Sequence, residues 1–94
     1  MKTLVITFEL KNSSFNYEKV VQKIKASSSS WARLTSSSFL IVTNLSAETV
    51  RNNAMSVFQN GDRIFVSACP VPSAWSGVED DVSKWILENQ PKNS

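Results

Sequence analysis

Glu9 is the residue with the clearest capacity for chemistry, because it is the acid that falls on a predicted strand. Strand alternation places it at the end of the first strand, on the face opposite the main core. Two carboxylates can share a divalent cation such as Mg²⁺, which activates water for phosphodiester attack. One acid is too few ligands, so a nuclease would need Glu9 from two copies. The alternative, which we favour, is an exposed carboxylate with no catalytic role.

Several basic and aromatic residues could contact a nucleic acid through phosphate pairing and base stacking. They are Lys11, Trp31, Arg33, Arg51, Arg63 and Trp75. The basic residues are spread along the chain, and the net charge is only +2, which argues against tight phosphate binding. We expect Trp75 to anchor the last helix and Trp31 to fill the sheet. Lys19, Lys23 and Lys25 are interpreted as a solvated helix edge.

Other chemistries lack the residues that they need. The chain has no histidine, the commonest general base and metal ligand, so its serine runs have no evident activating group. The single cysteine, Cys69, cannot form an internal disulfide and is expected to be a small core or interface residue. The acids Glu79, Asp80 and Asp81 suit a helix N-terminus rather than a metal cluster.

Length and composition predict one small domain over residues 1–90, followed by a frayed tail at 91–94. The apolar fraction of 41% argues against disorder. No apolar run is long enough to span a bilayer, and the start lacks the features of a secretory signal. We therefore expect a cytoplasmic protein without a membrane partner.

The hydrophobic pattern predicts seven elements, each typical of its class in period and flanking residues. The predicted strands are Met1–Leu10, Trp31–Thr35, Phe39–Thr43 and Arg63–Cys69, and the predicted helices are Asn16–Ala26, Ala47–Gln59 and Val78–Asn89. Ser14 or Asn16 could cap the first helix and Ser46 the second.

The order βαββαβ predicts an α+β, ferredoxin-like fold, in which two helices pack on one face of a four-stranded antiparallel sheet, followed by a C-terminal helix. Val5 and Phe65 should project from the second face of the sheet. Either the C-terminal helix or a second copy of the chain must cover that face. The two are nearly even, and we favour a homodimer with Val5 and Phe65 in its interface.

An ordered set of short segments also carries a family resemblance. The set is Phe8-Glu9-Leu10, Trp31 with Leu34, Phe39–Thr43, Leu45-Ser46-Ala47, Asn60-Gly61-Asp62, Ala74-Trp75-Ser76-Gly77 and Trp85-Ile86-Leu87. In these segments the chain resembles the small SinR-like proteins, which are similar to the ferredoxin-like nuclease subunit of CRISPR adaptation and, distantly, to the VapD toxins.

The resemblance implies a ferredoxin-like homodimer. It also implies that Glu9 stands where nuclease members carry an Asp that holds a divalent metal across the dimer axis. The extra methylene of Glu moves the carboxylate by more than a bond length, and Mg²⁺ is sensitive to such a shift. Related proteins tend to carry Trp near Ser38–Phe39, which this chain lacks.

Two functions of different classes follow. The first is a homodimeric binding or interaction module without a cofactor, whose partner is RNA, DNA or a protein. The second is a Mg²⁺-dependent endonuclease of the toxin or CRISPR-adaptation type, with Glu9 as metal ligand. We favour the module, because the chain lacks the ligand count that metal chemistry needs.

Overall fold

The computed structural model describes residues 2–11, 13–69 and 74–89, and residues 13–16 by their backbone alone. Its elements are β1 (Lys2–Glu9), α1 (Ser13–Ala26), β2 (Ser30–Thr35), β3 (Ser38–Thr43), α2 (Ala47–Met55), β4 (Arg63–Ala68) and α3 (Asp80–Asn89). The predicted strand start at Met1 and the predicted tail at 91–94 lie outside these ranges. In the part described, no helix is both long and apolar enough to cross a membrane.

The four strands form one antiparallel sheet in the order β2-β3-β1-β4. The strands that α1 connects flank β3, and the strands that α2 connects flank β1, so the two βαβ units interleave. The predicted α+β, ferredoxin-like βαββαβ fold with a C-terminal helix is therefore confirmed. Along β1, the pairing with β4 runs from Leu4 opposite Ala68 to Glu9 opposite Arg63.

The helix face of the sheet packs against α1 and α2 and forms the main core. Alternate residues of β1 point to this face, and residues of α1 spaced three and four apart pack against them. The buried members are Leu4, Ile6, Phe8, Leu10, Val20, Val21, Ile24, Phe39, Ile41 and Val50. The positions on β1 and α1 follow the strand and helix periods. Phe39 and Ile41 lie on a strand that is apolar on both faces, so the period did not assign their side.

The second face of the sheet is partly covered by α3. On β1 this face carries Thr3, Val5, Thr7 and Glu9. Ile86 of α3 packs with Leu40 and Cys69 in a small second core. The C-terminal helix thus occupies the β2–β3 side of the face, while none of the residues that the structure describes covers the end of the sheet near Glu9.

Three hydrogen bonds fix α3 and the segment before it. Trp85 Nε1 donates to Ser30 Oγ at 2.7 Å, and Thr3 Oγ1 donates to the Asn89 carbonyl at 2.6 Å. Trp75 packs on the second core and donates from Nε1 to Ser83 Oγ at 2.9 Å. The prediction that Trp75 anchors the last helix is confirmed.

The second helix is shorter than the pattern predicts, since it ends at Met55 rather than Gln59. The N–H groups of Val57 and Phe58 donate to carbonyls three residues back, as in 3₁₀ turns. The Asp62 carboxylate then accepts the Gln59 N–H at 2.8 Å and closes a turn. The side chains of Val57 and Phe58 therefore reach the core from a turn rather than from a helix. Apolar periodicity alone does not distinguish the two.

The first helix begins earlier than predicted, at Ser13. Ser14 and Asn16, the predicted caps, therefore lie within it. The hairpin turn between β2 and β3 is also tighter than predicted, because β3 begins at Ser38 and the turn consists of residues 36 and 37.

Candidate functional site

The uncovered end of the second face brings Glu9 together with Arg63 and Phe65. The pairing of β1 with β4 places Glu9 opposite Arg63 and Thr7 opposite Phe65. Side chains directly opposite each other on antiparallel strands have Cβ atoms ~5 Å apart and point to the same side of the sheet. We call Thr7, Glu9, Arg63 and Phe65 the sheet-end patch.

Phe65 is the apolar centre of the sheet-end patch, with 61% of its surface exposed. Val5, the other predicted interface residue, is half-buried and packs against the second core beneath α3. The two residues share a face but differ in surroundings, because α3 covers the region around Val5 and does not reach Phe65. Phe65 is therefore the residue that a partner would have to cover.

An open groove of about 540 Å³ runs beside the sheet-end patch. Its walls include all four patch residues, and Tyr17 and Ser37 add a phenol and a hydroxyl. The groove therefore presents an aromatic ring, one acid and one base to solvent at the same end of the sheet.

Glu9 and Arg63 form no ion pair with each other or with any other side chain that the structure describes. Both residues are exposed. Among the side chains that the structure describes, the ion pair within 4.0 Å is between Arg51 and Glu48, at 3.7 Å, and neither patch charge takes part in one. Each charge can therefore meet an opposite charge from outside.

The residues of one chain do not fit a Mg²⁺ site at Glu9. Within residues 2–11, 13–69 and 74–89, no three His, Cys, Asp or Glu side chains gather to hold a metal ion. Asp62, next to Arg63 in the chain, accepts the backbone N–H groups of Lys11 and Gln59 at 2.9 and 2.8 Å. Mg²⁺ sites usually combine one or two carboxylates with waters and substrate phosphates, so Glu9 would need a second carboxylate from another copy or a phosphate beside it.

A second feature lies on the helix face of β2, where two cations contact a group of three aromatic rings. Lys25 Nζ lies 4.3 Å from the centroid of the Trp31 ring, which contacts the Phe39 ring at 6.1 Å between centroids. The Arg33 guanidinium carbon lies 5.3 Å from the Phe39 centroid and 5.8 Å from that of Tyr17. We call these five residues the cation–aromatic row.

The residues predicted to contact nucleic acid do not form one basic patch. Trp31 and Arg33 lie together in the cation–aromatic row, whereas Lys11 and Arg63 lie at the end of the sheet. Arg51 lies on α2, where it pairs with Glu48 and donates to the neighbouring Asn52 Oδ1 at 3.0 Å. The structure therefore places these residues in three separate regions rather than in a continuous basic stripe.

The prediction that Trp31 fills the sheet is wrong, because 40% of the residue is exposed. β2 is an edge strand, and the Lys25 side chain of α1 lies against the ring. Lys25 and Tyr17 were not predicted as site residues. The pairing of Trp31 with Arg33 could have been predicted, since residues two apart on a strand share a face. No comparable signal in the sequence indicates Lys25 or Tyr17.

No protein-family model matches this chain, and no curated protein matches its sequence. The resemblance to the SinR-like proteins stays a prediction.

Proposed function

We propose that the protein is a small homodimeric binding module, which pairs through the sheet-end patch and binds nucleic acid without cleaving it. The observation that carries the proposal is Phe65, which is exposed over 61% of its surface and lies beside the opposed pair Glu9 and Arg63 on the same face of the sheet. We also place the protein in the cytosol and in the SinR-like family, as the sequence suggests.

The gain from covering Phe65 is large for a domain of this size. An aromatic residue offers ~200 Å² for burial, so the exposed part of Phe65 amounts to about 120 Å². At ~25 cal/mol per Å² this is about 3 kcal/mol for each copy. A stable interface also needs surrounding contacts, and exposed Thr7 and the groove beside it supply a polar rim.

The two charges of the patch support a second copy as the partner. In a twofold pairing the same patch meets itself, so each contact occurs twice. A patch with one acid and one base is self-complementary, because Glu9 of each copy can face Arg63 of the other. Patches with a single sign of charge would repel under the same symmetry.

Support for nucleic acid as the partner comes from the cation–aromatic row and from the resemblance. An exposed tryptophan beside a lysine is the combination that single-strand binding surfaces use. The balanced charge of the chain, ten basic against eight acidic residues, favours weak, salt-sensitive binding.

Sedimentation velocity tests the dimer. We expect wild-type protein to be dimeric and Phe65→Asp to be monomeric, with a dissociation constant raised at least ~100-fold, as the loss of about 3 kcal/mol requires. Leu87→Asp is the matched control, since Leu87 is 65% exposed on α3, away from the patch. A monomeric wild-type protein, or equal behaviour of both variants, contradicts the proposed dimer.

A charge-reversal experiment tests the pairing itself. Glu9→Arg gives two bases at the interface and Arg63→Glu gives two acids, so each variant alone should dissociate. Mixed in equal amounts, the two should form a heterodimer, because every contact is again between opposite charges. Failure of the mixture to associate shows that Glu9 does not face Arg63.

The second candidate is the metal-dependent endonuclease, and the position of Glu9 within the same patch favours it. A twofold pairing could bring the two copies of Glu9 together instead of pairing each with an arginine. In that arrangement the dimer should weaken when EDTA removes divalent cations, whereas a dimer based on Glu9 and Arg63 should not respond.

A further inference from the structure

The cation–aromatic row indicates which kind of nucleic acid the protein takes, an inference that rests on the proposed function. We infer that Trp31 is a stacking platform for an unpaired base of single-stranded nucleic acid, and that Lys25 moves from the ring to the strand's phosphate when the base arrives.

The Trp31 ring contacts a buried ring and a lysine side chain, and 40% of the residue is exposed. It packs on Phe39 at an interplanar angle of 58°, and Phe39 is fully buried in the main core. The Lys25 ammonium lies 4.3 Å from the ring centroid, on a long side chain that is only partly buried. A ligand can therefore replace the Lys25 side chain on the Trp31 ring while the ring keeps its position.

The exchange is favourable by the strengths of the contacts involved. A partly buried lysine gains less from an aromatic ring than a base gains from stacking on one. The displaced ammonium is not lost, because it is a flexible point charge that can pair with the phosphate beside the stacked base. One base and one phosphate therefore replace one cation–ring contact.

Positive charge lies on both sides of the platform. Lys23 and Lys25 stand in the last turn of α1. On the other side lies Arg33, two residues further along β2 and so ~7 Å away. The Arg33 guanidinium is oriented by a 2.8 Å hydrogen bond from Nη2 to the Ser36 carbonyl. A backbone crossing Trp31 meets a cation before and after the stacked base.

The geometry selects single strands. Bases inside a duplex are stacked on one another and present only their edges in the grooves. The Trp31 ring therefore finds a free base face only on a single strand. Trp75 and Trp85 are unsuited to the same role, because both are partly buried and donate their Nε1–H to serines.

Tryptophan fluorescence and the anisotropy of labelled oligonucleotides test the inference. We would titrate single strands of RNA and of DNA, each about 12 nucleotides long, and a duplex of equal length. Either single strand should quench the fluorescence, and the RNA and DNA arms show which is preferred. Trp31→Ala should abolish the quenching and weaken binding roughly 5- to 100-fold. Trp31→Phe, which keeps a ring, should restore most of the affinity, and Trp75→Phe should keep both signals.

The salt dependence isolates Lys25. Lys25→Gln should reduce the slope of log affinity against log salt by about 0.7, the contribution of one phosphate on a single strand. Lys84→Gln, at an exposed position on α3, should leave the slope unchanged. An unaltered slope in Lys25→Gln removes the phosphate role of Lys25.

The outcomes separate this inference from the proposed function. Single-strand binding that Trp31→Ala leaves intact overturns the platform and keeps the binding module. A preference for the duplex does the same. If neither nucleic acid binds, both the platform and the nucleic-acid part of the proposed function fall, while the dimer is decided by sedimentation alone.

Discussion

Removal of the Ile86 side chain should release α3 from the second face of the sheet. Ile86 is 3% exposed and packs with Leu40 and Cys69. Two hydrogen bonds, from Trp85 to Ser30 and from Thr3 to Asn89, tie the helix down elsewhere. Ile86 is therefore the main apolar contact of a helix that packs on the sheet along one side.

The expected loss is 2–5 kcal/mol, as for other buried Ile→Ala changes, because a transfer term and a cavity term add. Each hydrogen bond contributes only about 1 kcal/mol and cannot offset it. A loss of 2 kcal/mol or more raises the population of molecules with α3 undocked at least ~30-fold.

Cys69 reports this opening. It is 8% exposed and shares the second core with Ile86. Its reaction with a thiol reagent at pH 8 should be slow in the wild type and at least ~30-fold faster in Ile86→Ala, in step with the undocked population. Leu87→Ala, at a neighbouring exposed position, is the control and should react as the wild type does. Equal rates in both variants would refute the docking of α3 described above.

Three further predictions concern stability. Burial raises the pKa of the Cys69 thiol, so its stabilising contribution is present below the unfolded pKa of ~8.5 and is lost as pH rises through the folded value. The urea midpoint of the wild type should therefore fall between pH 7.5 and 9.5 by more than the midpoint of Cys69→Ala does. Parallel curves for the two proteins would contradict this. The Ser46 hydroxyl accepts the Thr49 N–H at 3.1 Å as the N-cap of α2, so Ser46→Ala should cost ~1 kcal/mol in urea unfolding, and an unchanged midpoint would refute the cap. Gly61 has φ +94°, and a Cβ there would lie 2.7 Å from Lys11 Cδ, so Gly61→Ala should lower the free energy of unfolding by about 1–2 kcal/mol. Gly77→Ala should lower it less, because a Cβ at Gly77 would meet no atom within 4 Å.

The fold was predictable because its apolar positions repeat with clear periods. The alternation from Leu4 to Leu10 shows which face of β1 is buried, and the apolar stripe with Val20 and Ile24 shows which face of α1 is buried. Only a few topologies bring such faces together in the order βαββαβ. The docking of α3 was not predictable in the same way. Its stripe, which includes Ile86, is apolar enough to pack on any uncovered face, so the sequence left a second copy as an equal alternative.

The candidate site was predictable in part. Strand parity placed Glu9 and Phe65 on the second face, where both are found. The opposition of Glu9 and Arg63 depends on the register of β1 and β4, which no periodicity reveals; next to this pair, the Asp62 carboxylate accepts the Lys11 N–H. The exposure of Trp31 likewise depends on β2 lying at the edge of the sheet.

The measurement that tests the proposed function most directly is a panel of labelled RNA and DNA incubated with wild-type protein and with Glu9→Gln. Each is run with Mg²⁺, with Mn²⁺ and with EDTA, and both binding and strand length are recorded. A binding module predicts retarded but intact strands under all conditions, with both proteins alike. Cleavage that requires the metal ion and disappears in Glu9→Gln would contradict the module and establish the endonuclease.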